Sequence, residues 1–218
     1  MTRRKLLGLI KATHFGPTVL VVTISFLLSL TQFSWVGALQ VSCAILAGQC
    51  VVGWTNDLLD SQLDREAGRT IKPLVSGLVT EIILKRAIVI ALVVALVLSL
   101  AGPLGIKGTL IHFLGILSAT LYNFGVKKSV YSVLPYVISF GAMPWAIYLS
   151  NGHRPPTWIY LGFILFASAF HFLNVLKDLK SDLAQGIMGL PQRLGKSRSI
   201  ACAVVLASMG ALVVAFGS

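Results

Sequence analysis

Acids are scarce in this chain: Asp and Glu number 7 in 218 residues, against 18 Lys and Arg. Charged residues of both signs reach only 11%, where a soluble domain carries roughly 25%. That shortage excludes a chain built to face water on all sides. Cysteines are few as well. Cys43, Cys50 and Cys202 sit inside apolar runs without paired metal-ligand spacing, so they read as small packing residues rather than a metal site. Strand-type alternation is missing throughout, which excludes a barrel.

What fills the chain instead is apolar sequence, 56% of residues, with a mean hydropathy of +0.86. Seven runs approach or reach the roughly 20 residues that cross a bilayer: 12–31, 35–54, 82–101, 109–122, 130–149, 158–176 and 200–218. In hydrocarbon every backbone polar group must be paired within its own segment, so continuous runs of this length are helices. The expected fold is all-α, a polytopic transmembrane bundle forming a single membrane domain over 1–218.

A formal charge of +11 would suggest nucleic acid in a soluble protein, but its distribution argues otherwise. With the N-terminus inside, the alternating loops place all basic residues except Lys107 and Arg154 on one face. This positive-inside bias orients the chain, with its N-terminus cytoplasmic, and meets anionic lipid. No nucleic acid is implied. Arg3 and Arg4 faintly resemble a twin-arginine signal, but His14, Gly16 and Pro17 interrupt the apolar run and no clean cleavage site follows. The first helix is therefore expected to be retained.

The chain repeats itself at an offset of 118 residues. Asn56, Asp60, Asp64, Gly68, Pro73 and Gly77 map onto Asn174, Asp178, Asp182, Gly186, Pro191 and Gly195, and Pro17 maps onto Pro135. Four helices separate the copies, so both enter the membrane in the same direction, as parallel repeats about a central cavity. The expected boundaries are 1–125 and 126–218. The second copy runs only as far as the position matching Leu100, so a further helix is expected beyond the seven, toward eight or nine.

Five of the seven acids fall in the repeated motif Asn-x3-Asp-x3-Asp. This spacing puts Asn56, Asp60 and Asp64, and again Asn174, Asp178 and Asp182, on one helical stripe, with Asp57 leaning toward the first. Like charges so placed repel, and burying them near a bilayer costs several kcal/mol more. A divalent cation removes both penalties, and magnesium favours a few carboxylate oxygens shared with water and substrate phosphates. All seven residues are thus candidate metal ligands, and the two stripes would hold two magnesium ions bridging a diphosphate. Arg65, Arg69, Lys72, Lys127, Lys128, Lys177 and Lys180 supply cations around them, suited to charge building on a leaving diphosphate. His14 and His171 read as hydrogen-bonded interior or interfacial residues, His171 one turn before Asn174. Trp54, Phe140, Trp145, Tyr148 and Phe172 read as packing or interfacial belt.

At these residues the chain resembles the UbiA-type superfamily of intramembrane prenyltransferases. The first signature runs from Asn56-Asp57 through Asp60 and Asp64 to Gly68-Arg69-Thr70 and Lys72-Pro73. The second runs from Asn174 through Asp178 and Asp182 to Gly186 and Pro191, and Tyr122 with Lys127 is similar to the family's tyrosine–lysine pair. The resemblance implies a helical bundle capped on the cytoplasmic side by the motif loops. It also implies magnesium-dependent ionisation of a polyprenyl diphosphate and capture of the allylic cation by an aromatic or lipid-pathway acceptor. Asp60, Asp64, Asp178 and Asp182 would be the catalytic carboxylates, and Lys72, Lys127, Tyr122 and Arg69 would contact diphosphate. Two other readings stay open at this point: transfer of another diphosphate-activated group, such as phosphoribosyl to a lipid phosphate, and a non-catalytic cation transporter or scaffold.

Overall fold

The computed structural model describes residues 3–218, and among these the only regular structure is helical. The nine α-helices are α1 (Arg3–Ala12), α2 (Phe15–Ser29), α3 (Trp35–Leu59), α4 (Ser61–Glu66), α5 (Glu81–Ala101), α6 (Gly105–Asn123), α7 (Leu134–Ser150), α8 (Thr157–Ala184) and α9 (Leu190–Gly217). Each of the seven apolar runs is mostly helical, the first interrupted at 13–14 and the fifth opening in turns over 130–133. Four helices, α3, α5, α8 and α9, are individually long and apolar enough to cross a membrane, and the α1–α2 pair makes a fifth candidate broken by a 70° bend. The shorter α7 is also apolar, begins with Pro135 in its first turn and carries Pro144 inside it.

The chain divides into two compact units, Met1–Thr109 and Leu110–Ser218, with the division falling inside α6. Each unit has the same plan. In the first, α3 packs against both α2 and α5; in the second, α8 packs against both α7 and α9. These are the helices that the 118-residue offset pairs.

The packing is of the kind lipid demands. On α5 the buried positions are Leu84, Ala87, Ala91, Ala95 and Ser99, a stripe of mostly small residues at helical spacing that lets backbones approach. Val89, Ile90, Val93 and Val97 on its other faces are exposed. A helix apolar all round with small residues toward its partner is a membrane helix, since hydrocarbon gives large side chains no reason to hide. Ser42 returns its hydroxyl to the Ala38 carbonyl (2.8 Å) and Ser168 to Ile164 (2.8 Å), keeping polar groups paired within their own helices. Helix starts are fixed locally: Ser34 caps α3 by accepting from Gly37 N–H, and Thr80 caps α5 by accepting from Ile83 N–H.

Candidate active site

The repeated motif ends in the same backbone device in both units. After Asp64 the helix closes with Gly68 at φ 65°; after Asp182 it closes with Gly186 at φ 70°. The amide of the residue following each glycine donates to the aspartate's own carbonyl, Arg69 to Asp64 at 2.9 Å and Ile187 to Asp182 at 2.8 Å. The glycine amides donate to Arg65 and Leu183, each at 3.1 Å. This is the Schellman closure, which needs a left-handed residue at its turn and so selects glycine. The Asp-x3-Gly spacing thus has a mechanical cause: it stops the helix one turn past the last carboxylate.

In the first unit the stripe crosses a helix boundary. Asp60 is at once the last cap of α3 and the first of α4. The helical path is nevertheless kept, since Asp60 N–H donates to Asn56 (2.9 Å) and Asp64 N–H to Asp60 (2.8 Å). Asp57 and Asp64 are buried, with only 3% and 2% of each residue exposed, while Asp60 is half-buried. Lys72 reaches back to both buried acids, donating to Asp57 Oδ1 at 2.7 Å and standing 3.9 Å from Asp64 Oδ2. Arg69, placed by the Schellman turn, donates to Asp64 Oδ1 at 3.2 Å. His14 Nε2 lies 3.1 Å from Asp57 Oδ1 and 3.4 Å from Asn56 Nδ2. Burial holds the Asp64 carboxyl above its ordinary value; Lys72 and Arg69 pull it down, and the neighbouring Asp60 and Asp57 push it further up.

In the second unit Asn174, Asp178 and Asp182 all lie on the unbroken α8. Asp178 is exposed and Asp182 half-buried. Asp182 Oδ2 accepts from Gln192 Nε2 at 2.8 Å, Lys177 donates to Asn174 Oδ1 at 3.3 Å, and Tyr136 hydrogen-bonds Asn174. Lys127 is buried in a 3-10 turn, Val126–Lys128. Its carbonyl would stand 2.5 Å from a Cβ placed at Gly189, so the turn and the second motif loop are pressed together where only glycine fits. Tyr122 packs edge-on against Tyr136 and His171, with ring centroids 5.5 and 5.9 Å apart.

Sequence reasoning did not assign site roles to His14 or Gln192. The offset held a signal for His14: its partner is Ser132, also polar, so both spans open on a hydrogen-bonding side chain. Gln192 follows the repeated proline where the first copy has Leu74, and nothing in its type announced a bond to Asp182.

Whether this donor set suits magnesium can be tested on the geometry. Among the described residues no three His, Cys, Asp or Glu side chains form a ready-made metal group. Magnesium does not require one, because it takes one or two carboxylates and completes its shell with water and phosphate oxygens. Asp57 Oδ2 is buried without a hydrogen-bond partner among the described residues, and Asp64 is held above its ordinary value beside two other acids. An unpartnered carboxylate oxygen beside further Asn and Asp oxygens is the hard-oxygen donor set that magnesium takes, and the set fits the ion.

An α-helical membrane domain carrying two copies of an Asn/Asp motif, each closed by the same glycine turn and each beside lysine, has the fold and motif set of an intramembrane prenyltransferase. The model of the UbiA prenyltransferase family matches residues 16–218, and the chain belongs to that family. Among solved structures, a UbiA homolog from Archaeoglobus fulgidus bound to DMAPP and Mg2+ superposes with a TM-score of 0.79 at 18% identity, covering 98% of this chain and 77% of that one. The same homolog bound to GPP and Mg2+ gives 0.78 at 16% identity, over 96% and 77%. A structure of digeranylgeranylglyceryl phosphate synthase gives 0.72 at 20% identity, over 96% and 76%. At these identities the likeness is one of fold. No curated protein sequence matches this chain.

Proposed function

We propose that this prenyltransferase moves a polyprenyl group from its diphosphate to an aromatic or lipid-pathway acceptor inside the membrane, with magnesium and with both motifs taking part. The observation that carries the reading is the buried Asp57–Lys72–Asp64–Arg69 cluster, which stands at the cytoplasmic end of α3 in the orientation that the positive-inside bias implies. Acids and bases interleaved at a helix end, in a chain with so few acids, are arranged for a ligand that is both metal-bound and anionic. The DMAPP and GPP bound with Mg2+ in the Archaeoglobus homolog have that chemistry.

Asn56, Asp57 through its Oδ2, Asp60, Asp64, Asn174, Asp178 and Asp182 would hold magnesium, two ions in all. Bound there, the metal would neutralise charge on the diphosphate oxygens. Lys72, Arg69 and Lys127 would donate to those oxygens, and Tyr122 would lend its hydroxyl. In the reaction the allylic C1–O bond breaks and its electron pair leaves with the diphosphate. The carbocation then forms a bond with the acceptor, which gives up a proton. The family's dry helical interior excludes water that would otherwise capture the cation, and aromatic faces such as those around Tyr136 and Phe140 (6.3 Å apart, stacked) can shield positive charge.

The test is pyrophosphate release by membranes carrying the chain, supplied with dimethylallyl or geranyl diphosphate and a lipid extract as acceptor source. Release should require a divalent cation, and mass spectrometry should show a prenylated lipid absent from control membranes. Turnover in EDTA, or unchanged turnover in both Asp64→Asn and Asp182→Asn, would refute the assignment.

A further inference from the structure

One residue at the bend between α1 and α2 is unlike any other described residue. His14 is the only non-glycine residue among them with positive φ (57°, with ψ 63°). A left-handed backbone is costly for a side chain that carries a Cβ, and such positions persist where the surroundings fix them. Here the surroundings do. Trp54 Nε1 donates to the Leu9 carbonyl at 2.9 Å. A Cβ at Gly53 would stand 2.8 Å from the Thr13 carbonyl, and one at Gly8 would meet the Leu78 backbone at 3.1 Å. The end of α1 is thereby pressed onto α3 just before the first motif, and the bend carries the His14 imidazole to Asp57 and Asn56.

One oxygen of Asp57 in turn is committed. Its Oδ1 receives both Lys72 and His14, while its Oδ2 is left without a hydrogen-bond partner among the described residues. The repeat supplies a control within the chain. At the matching positions the second unit has Val175 for Asp57, Leu190 for Lys72 and Ser132 for His14. Ser132 Oγ there accepts from the Leu190 backbone N–H at 3.0 Å, so the tie to the matching position is made to main chain.

We propose that His14 is a positioning residue: through Asp57 Oδ1 it fixes the Lys72 ammonium before metal and diphosphate arrive. The inference rests on the magnesium–diphosphate reading above. His14 touches no substrate in this scheme. It acts through Asp57, and the strained bend is what brings it there.

The experiment uses the full chain in lipid nanodiscs, titrated with inorganic pyrophosphate in the presence of Mg2+, alongside thermal unfolding. His14→Gly suits the left-handed backbone and deletes only the imidazole; it should unfold like the wild type yet bind pyrophosphate about tenfold more weakly, or about 1.4 kcal/mol. His14→Gln, which can still donate to Asp57, should recover most of that loss. Combining His14→Gly with Lys72→Gln should bind no worse than Lys72→Gln alone, because both act through one ammonium. Wild-type affinity in His14→Gly, or additive losses in the double variant, would overturn the positioning role while leaving the function intact. Loss of binding with lowered thermal stability and no rescue by Gln would assign His14 to the fold alone, and overturns it too. A wild-type chain that binds no magnesium–pyrophosphate would bring down the underlying functional reading, and this role with it.

Discussion

The two units share a motif, a glycine turn and a three-helix plan, yet their motifs are wired differently. In the first unit two carboxylates are buried and tied to Lys72, Arg69 and His14. In the second Asp178 is exposed, Asp182 accepts from the neutral Gln192, and Leu190 stands at the position matching Lys72. Backbone geometry has been kept where it sets the spacing of the carboxylates, and side chains have diverged where they set charge. On this comparison the first motif is a buried cluster of paired charges, and the second is more exposed.

Loss of one carboxylate from either motif tests that contrast most severely. Asp64→Asn and Asp182→Asn should each lower turnover about 100-fold or more, roughly 3 kcal/mol of lost charge stabilisation. A large loss in only one would make the units unequal in chemistry as well as wiring. Next in size is Lys72→Gln. It leaves Asp57 without its cation and should cost about 1–3 kcal/mol in unfolding free energy, below the usual figure for a buried pair because the lysine is partly exposed. The matching Leu190→Gln in the second unit should cost less, as no carboxylate depends on it. Gln192→Leu, which copies Leu74 of the first unit, should lower activity several-fold by removing one hydrogen bond to Asp182, about 1–2 kcal/mol for a hydrogen bond to a charged group.

Smaller effects sharpen what the units have in common. Gly68→Ala and Gly186→Ala should each destabilise by about 1 kcal/mol, equally in both units, since each forces a Cβ into the left-handed region. Thermal unfolding in detergent checks this. Asp64 gives the pH dependence. Its folded pKa is raised above the ordinary 3.8, so its contribution to stability is fully present below that value and lost as pH rises through the folded pKa. Asp64→Asn should remove this part of the pH profile. Magnesium should restore stability to the wild type above the folded pKa and do less for the variant.

Much of this was legible in the sequence, for stated reasons. Apolar runs without alternation can only be helices in hydrocarbon, and the repeat of Asn56, Asp60 and Asp64 at Asn174, Asp178 and Asp182 announced the motif without any coordinates. The glycine at the end of each copy was visible as a match, though its role as a Schellman closure needed backbone angles. Other features were not legible. The 70° bend within the first run depends on how α1 packs against Gly53 and Leu78, a tertiary effect that hydropathy does not carry. The pairing of Asp57 with Lys72 and His14 joins residues 15 and 43 positions apart, which local spacing does not reveal. Gln192 was invisible because a neutral amide gains its role only from the carboxylate it meets.

The central claim is that both motifs serve one magnesium–diphosphate chemistry. Calorimetric titration of the purified chain with inorganic pyrophosphate, with and without Mg2+, tests it most directly when repeated on Asp64→Asn and Asp182→Asn. The account predicts tight binding only with metal, and its loss in each single variant. Binding that persists without metal, or that survives the loss of either carboxylate unchanged, would contradict it.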